Sequence, residues 1–177
     1  MQIEGKRIAI LVEDDFEASE LIEPLNTMTS EGAIVTLIGS EAPMTYSDKT
    51  GNHKMVSDLA ARDAYAGHYD AVIIPGGRAP ERMRLNEGMV AFVRSACHMG
   101  KVIAAICHGA QVLITAGLLR DRRVTCWPGI RDDVRNAGAD YVDQPVVVDA
   151  DLITSRKPDD IPLFNKAILS ALSRVHA

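Results

Sequence analysis

The alternation of short apolar runs with longer amphipathic runs is the sequence feature that most constrains the fold. The apolar runs at residues 8–12 and 102–106 have no polar interruption, which is typical of parallel strands covered on both faces. An amphipathic run over residues 17–31 follows the first of them and stops before Gly32, which favours a helix. Repeated strand–helix units predict an α/β fold: a doubly wound, mostly parallel, flavodoxin-like sheet sandwiched by helices.

The same pattern places the other elements along the chain. The predicted strands are residues 7–12, 34–38, 71–74, 102–106, 124–126 and 146–148, and the predicted helices are residues 17–31, 87–99, 109–116, 130–136 and 160–175. Residues 43–57 contain a turn signal at residues 48–52, which predicts a small antiparallel hairpin. No repeat or polar linker interrupts the sequence, so we expect one domain spanning residues 1–177.

The composition argues against several classes of partner. The chain has 19 Lys and Arg against 24 Asp and Glu, a net charge of −5, and few aromatic residues, so we expect no sequence-specific nucleic-acid partner. Its apolar runs are far shorter than the ~20 residues of a membrane span, so no membrane partner is expected. Three cysteines form no disulfide framework, which favours a reducing, cytoplasmic location.

Cys107 is the strongest candidate for a catalytic residue. It lies where the strand at 102–106 runs into the helix at 109–116, with the small residues Ala105 and Gly109 on either side. This is the pattern of a nucleophile elbow with Cys in place of Ser. Because a helix N-terminus favours a thiolate, we expect Cys107 to have the lowest pKa of the three thiols. The alternative is a buried, inert cysteine, which we favour for Cys97 and Cys126.

Groups beside Cys107 are candidates for a base and for oxyanion donors. His108 acts either as a base through its side chain or through its backbone N–H alone. Gly76 and Gly77 end the neighbouring strand and suit a second oxyanion donor, although a tight turn would also require glycine there. The two Cys-His pairs lack the usual spacing of metal ligands, so we expect no metal site.

Five acidic residues lie between Glu13 and Glu20, at the start of the first predicted helix. The helix dipole accounts for most of them. A carboxyl beside an elbow thiolate would be shifted toward its protonated form by the like charge, and it could then donate a hydrogen bond to the sulfur. The residues alone leave open which acid takes this place.

Five segments carry a resemblance to a known family. They read EDDFE, PGGRAPE, AICHG, WPGIRDD and SRKPDD, at residues 13–17, 75–81, 105–109, 127–133 and 155–160. With these segments the chain resembles the PfpI family of intracellular cysteine peptidases and stress proteins, within the class I glutamine-amidotransferase-like superfamily. The resemblance extends from Arg7 to about Leu172.

The resemblance implies a set of catalytic residues: Cys107, His108, Glu17 and Glu81. Glu17 matches the family's carboxyl that hydrogen-bonds the nucleophile. Glu81 matches a glutamate that reaches the histidine of a neighbouring subunit, so we expect a homo-oligomer, a dimer or hexamer, with Glu81 contributed in trans. This chain has Ala110 where the family often has Pro, a difference expected to adjust the helix start without removing the site.

The resemblance also implies a reaction class, thiolate attack on a carbonyl carbon without a cofactor. The expected function is a glyoxalase- or deglycase-like hydrolase that acts on small aldehydes or glycated adducts in stress protection. One alternative is a cysteine peptidase acting on peptides. The other is a redox-sensing or chaperone-like stress protein that uses Cys107 oxidation. The complete set of Cys107, His108 and Glu81 argues against a sensor alone, since sensing needs no base.

Overall fold

The computed structural model describes residues 1–174 as an α/β fold. The strands are β1 (Arg7–Leu11), β2 (Ile34–Gly39), β3 (Thr45–Ser47), β4 (Lys54–Val56), β5 (Leu59–Ala60), β6 (Ala71–Ile74), β7 (Val102–Ile106), β8 (Arg123–Val124), β9 (Asp140–Tyr141), β10 (Val146–Asp149) and β11 (Leu152–Ser155). The helices are α1 (Ala18–Ser30), α2 (Ala79–Met83), α3 (Glu87–His98), α4 (Ala110–Thr115), α5 (Arg131–Asn136) and α6 (Ile161–Arg174). The predicted end of the last helix, Val175, lies outside the described residues.

A seven-stranded sheet in the order β10-β11-β7-β6-β1-β2-β5 forms the centre of the fold. All its pairings are parallel except that of the edge strand β10 with β11. The inner strands order as β2-β1-β6-β7-β11, which is the flavodoxin-like order, with its switch point between β1 and β6. The predicted fold class is therefore confirmed, and so is the small antiparallel hairpin, formed by β3 and β4.

Helices cover both faces of this sheet. The chain moves one way from β1 to β2 and the other way from β6 to β7, so right-handed crossovers place α1 and α3 on opposite faces. Helix α1 packs against α6, and α3 packs against α4. Every residue of β6 and β7 is buried, which explains their uninterrupted apolar sequences. Within residues 1–174, no helix is long and apolar enough to cross a membrane.

Strands β5, β9 and β11 were not predicted, and one predicted strand lies outside the central sheet. Of these, β11 pairs with β7 in the middle of the sheet. Its sequence ends in Thr154 and Ser155, which are polar but fully covered by long-range packing. The strand predicted at 124–126 is β8, which pairs with β9 in a separate two-stranded sheet outside the central one.

Candidate active site

The chain turns sharply at Cys107, at the carboxyl end of β7. Cys107 has φ +62°, in the left-handed region that costs a residue with a Cβ about 1–3 kcal/mol. A single 3-10 turn over Cys107–Gly109 then leads directly into α4. A Cβ at Gly109 would lie 2.6 Å from the carbonyl oxygen of Ile74, so this turn requires glycine. The predicted elbow is present, and it presents the sulfur at the switch-point edge of the sheet.

The sulfur of Cys107 lies in a covered site. Cys107 is only 8% exposed. Burial raises the pKa of its thiol to about 12, and the nearby charge of Glu20 adds to this rise. The backbone N–H groups of Gly77 and His108 hydrogen-bond the sulfur and oppose the rise in pKa, but they do not outweigh burial. Contrary to expectation, the pKa of the Cys107 thiol is therefore raised rather than lowered in the free chain, and its resting form is the neutral thiol.

His108 provides a base within reach. Its Nδ1 lies 3.2 Å from Cys107 Sγ and accepts from the thiol when the ring proton is on Nε2. Burial lowers the pKa of His108, with a further contribution from Lys49, so the ring is neutral at pH 7. The ring stacks on the Trp127 ring with centroids 6.0 Å apart, and the backbone N–H of Trp127 donates to the Cys107 carbonyl at 3.1 Å. The elbow therefore allows the contact that adjacent side chains on a regular helix would lack.

Glu20 is the carboxyl that lies beside the Cys107 sulfur. It is completely buried in the first turn of α1, and its Oε1 accepts the N–H of Gly76 at 2.9 Å. Burial raises the pKa of Glu20 to about 8, while the Gly76 N–H and the Cys107 side chain, both hydrogen-bonding neighbours, act against this rise. Its other oxygen, Oε2, has no hydrogen bond of good geometry within the described chain. Glu20 is therefore mostly protonated at neutral pH, with a proton available to the sulfur.

The structure corrects the assignment of Glu17. Glu17 precedes α1 in extended backbone, and its Oε2 forms an ion pair with Lys49 Nζ at 2.5 Å. Ser19 Oγ also donates to it, at 3.3 Å. One helical turn separates Glu17 from Glu20, and this turn carries Glu20 inward to the sulfur. Glu17 lines the cavity, and Glu20 occupies the position beside the sulfur that was predicted for Glu17.

The two glycines after β6 have different roles. The N–H of Gly76 is used by Glu20, so Gly76 is not available as an oxyanion donor. A Cβ at Gly76 would lie 2.7 Å from the Cβ of Cys107, which explains the need for glycine. Gly77 has φ +81°, and its N–H hydrogen-bonds the sulfur. Of the three predicted oxyanion donors, Gly76, Gly77 and His108, the last two therefore remain available.

Glu81 lies apart from this cluster. It is exposed on α2, beside a surface groove formed with Asp15, Arg78, Arg82 and Leu85. It forms no hydrogen bond or ion pair with His108 of its own chain among the described residues. Contribution of Glu81 to a neighbouring subunit stays a prediction.

A cavity of about 620 Å³ opens above the sulfur. Its walls are Glu17, Glu20, Lys49, Thr50, Gly77, Arg78, Cys107, His108, Trp127 and Pro158. Lys49 and Thr50 come from the tip of the β3–β4 hairpin, whose role in the site was not predicted. Their residue types were visible only as a turn signal.

The other cysteines lie away from this cavity. Burial raises the pKa of Cys97, and it raises the pKa of Cys126 to about 12. Cys97 lies on α3, and Cys126 is buried just after β8. Among residues 1–174, no cluster of three or more His, Cys, Asp or Glu side chains could hold a metal ion.

Comparisons with known proteins identify relatives over nearly the whole chain. The sequence model described as the DJ-1/PfpI family matches residues 6–171. A deglycase of Pyrococcus abyssi is 46% identical over 166 residues, which are 94% of this chain and 99% of that protein. Protein/nucleic acid deglycase 2 of Escherichia coli K12 is 40% identical over 169 residues, which are 95% of this chain and 98% of that protein.

A solved structure shows the same fold. It is a two-domain protein from Anabaena variabilis with DJ-1/ThiJ/PfpI-like and ferritin-like domains, 46% identical to this chain with a TM-score of 0.93. The match covers 94% of this chain and 48% of that one, so this chain spans about half of the two-domain protein.

Proposed function

Because the chain belongs to the DJ-1/PfpI family, we propose that it is a cofactor-independent, cysteine-dependent deglycase that attacks carbonyl carbons of small aldehydes or glycated adducts. The observation that carries this proposal is the 3.2 Å contact of Cys107 Sγ with His108 Nδ1 on a left-handed elbow, at the base of a cavity. The names of relatives at 40–46% identity support a hydrolytic enzyme of the deglycase type.

The first chemical step follows from the geometry of the elbow. The Sγ of Cys107 forms a bond to the substrate's carbonyl carbon, and the thiol proton passes to Nδ1 of His108. The carbonyl electron pair moves to oxygen, which becomes an oxyanion. The N–H groups of Gly77 and His108 already face the sulfur and are available to this oxygen.

Glu20 supports the same step through its contact with the sulfur. A carboxyl that is protonated at neutral pH can donate a hydrogen bond to the developing thiolate without placing a second negative charge beside it. The Gly76 N–H holds this carboxyl in place. Glu20 and His108 thereby make a buried thiol reactive although its resting pKa is high.

We further propose that the site is completed in a homo-oligomer, with Glu81 of one subunit orienting His108 of another. Glu81 lies next to Leu85, which is 83% exposed, and Arg78 lines both this groove and the active-site cavity. A subunit docked on this surface would therefore adjoin the active site. A third group that orients the base is the usual completion of a triad.

Mixing two weakened variants tests the trans arrangement. Cys107→Ser and Glu81→Gln are mixed under conditions that let subunits exchange. Hybrid sites can combine Cys107 and His108 of one chain with Glu81 of the other, so activity should exceed the sum of the parents. No gain in verified hybrids, or a fully active monomer, would contradict the arrangement.

The substrate class is tested by a side-by-side assay. Purified protein is incubated with methylglyoxal, a glycated thiol and casein, with Cys107→Ala as the control. Cys107-dependent turnover of the first two substrates supports the proposal. Cys107-dependent cleavage of casein alone would favour a peptidase, and no turnover with selective peroxide oxidation of Cys107 would favour a redox sensor.

A further inference from the structure

The hairpin tip, residues 48–53, is organised around one buried carboxylate. Asp48 is 3% exposed. Its oxygens accept hydrogen bonds from Thr50 Oγ1 at 2.8 Å and from the backbone N–H of His53 at 3.0 Å, and His53 Nδ1 lies 3.3 Å away. Burial alone would raise the pKa of Asp48, but these hydrogen bonds lower it to about 2, so the carboxylate stays charged.

The same tip is fastened to the segment that leads into α1. Asp48 forms an isolated bridge with Phe16, and the N–H of Lys49 donates to the carbonyl of Phe16 at 3.0 Å. Phe16 is also bridged to Gly77, which hydrogen-bonds the sulfur. Short backbone contacts therefore join the tip to the residues that surround the sulfur.

The side chain that this arrangement positions is Lys49. Lys49 is 46% exposed, and a lysine on a free turn would extend into water. Here its Nζ pairs with Glu17 at the cavity wall, and its charge also acts on Glu20 and His108. The negative charge of Glu17 raises the pKa values of both Glu20 and Cys107, so a cation held against Glu17 opposes that effect.

We propose that Asp48 is a positioning residue of the active site: its buried carboxylate fixes the hairpin tip so that Lys49 is held against Glu17. Lys49 then offsets the negative charge of Glu17 beside the Cys107 thiol. This role rests on the proposed function of Cys107 as the nucleophile. The ionisable groups around the sulfur, from every element that adjoins it, are Glu17, Glu20, Lys49, Arg78, His108 and, through His108, Glu81.

The test measures the reactivity of the thiol directly, without a substrate. The rate at which iodoacetamide alkylates Cys107 is followed against pH in the wild-type chain and in Asp48→Asn, Lys49→Met and the double variant. We expect Asp48→Asn and Lys49→Met each to slow alkylation near neutral pH about threefold, the effect of a half-unit rise in thiol pKa. The double variant should be no slower than Lys49→Met, because Asp48 acts through Lys49.

Two results would overturn the proposal. One is unchanged alkylation in a folded Asp48→Asn variant. The other is an equal slowing by Asp48→Asn in the wild-type and Lys49→Met backgrounds, which would show that Asp48 does not act through Lys49. The control is Asp70→Asn, which removes a carboxylate that accepts the Arg7 N–H at 2.8 Å, at the opposite edge of the sheet. Asp70→Asn should leave the pH profile of Cys107 alkylation unchanged.

A milder variant keeps the proposal testable if Asp48→Asn does not fold. His53→Phe removes only the 3.3 Å side-chain contact and leaves the backbone hydrogen bond intact. It should shift the profile in the same direction by a smaller amount, and no shift would contradict the proposal. A wrong substrate assignment would appear instead as a wild-type chain that does not turn over glycated adducts, whatever the alkylation profiles show.

Discussion

The two sides of the active-site cavity are built in different ways. The elbow wall, formed by Cys107 and His108, comes from consecutive residues, and its chemistry follows from backbone conformation. The other wall, here called the acid wall, consists of Glu17 and Glu20 with Lys49, the ion-pair partner of Glu17. It comes from a helix start and a hairpin tip that meet only in the folded chain. In the proposed mechanism the elbow wall supplies the nucleophile and its base, while the acid wall sets the charge around them. A substitution in the first should remove the reaction, and one in the second should retune it.

The largest effect is expected at the elbow wall. Cys107→Ala should lower turnover of glycated adducts by roughly three orders of magnitude or more, because the group that forms the covalent bond is removed. Initial rates at saturating substrate measure this loss. Cys97→Ala is the matched control and should retain activity, since Cys97 lies outside the cavity. Comparable losses in both variants would remove the distinction between the two thiols.

The second-largest effect is expected at the acid wall, in the pH dependence of the free energy of unfolding. Glu20 has a pKa of about 8 in the folded chain and 4.5 as its ordinary value, so folding favours its protonated form. That contribution is fully present below pH 4.5 and is lost as the pH rises through about 8. Relative to Glu20→Gln, the wild-type chain should therefore lose about 5 kcal/mol of unfolding free energy across this range, at about 1.4 kcal/mol for each unit of pKa shift.

Urea unfolding at several pH values checks this expectation. Glu87→Gln, a change at an exposed glutamate on α3, is the control and should run parallel to the wild-type chain. A constant difference between Glu20→Gln and the wild-type chain would mean that Glu20 is already ionised when folded.

A smaller effect is expected on the reactivity of the thiol. Glu20→Leu removes the donor to the sulfur and leaves the Gly76 N–H without its acceptor, so alkylation of Cys107 should slow by roughly 10-fold. Glu20→Gln keeps a donor and an acceptor and should stay close to the wild-type rate at neutral pH. Equal rates for the two variants would show that hydrogen bonding by Glu20 is irrelevant to the nucleophile.

The smallest effect distinguishes the two glutamates. Glu17→Gln removes a negative charge that raises the thiol pKa, so alkylation of Cys107 should become faster, by about threefold or less. Glu17→Leu also removes that charge and should not slow alkylation, whereas a loss of rate as large as that of Glu20→Leu would place Glu17, rather than Glu20, in the role of donor. The alkylation rates of Glu17→Leu and Glu20→Leu, measured at the same pH, decide between them.

The contrast between the walls also explains what could be predicted from sequence. Strands β6 and β7 have the predicted bounds, and the elbow follows from small residues beside Cys107, because these features depend on neighbours in the chain. Strand β11 escaped prediction because Thr154 and Ser155 are buried only by distant packing.

The choice between Glu17 and Glu20 was beyond sequence reasoning for the same reason. Both are acidic residues at one helix start, and the N–H of Gly76, far along the chain, selects Glu20. The pKa of Cys107 was mispredicted because the helix N-terminus is visible in the sequence, whereas the burial that outweighs it is a property of the whole fold.

The close packing of glycine around the sulfur limits how the specificity of this enzyme could be redesigned. A Cβ at Gly76, Gly77 or Gly109 would lie 2.5–2.6 Å from its nearest neighbour, so a side chain at any of these positions would displace the groups packed around the elbow. Substitutions meant to change specificity must therefore be made at other residues of the cavity surface. A mutant library confined to Thr50, Arg78 and Trp127 would vary the shape and charge presented to new substrates while leaving the elbow unchanged.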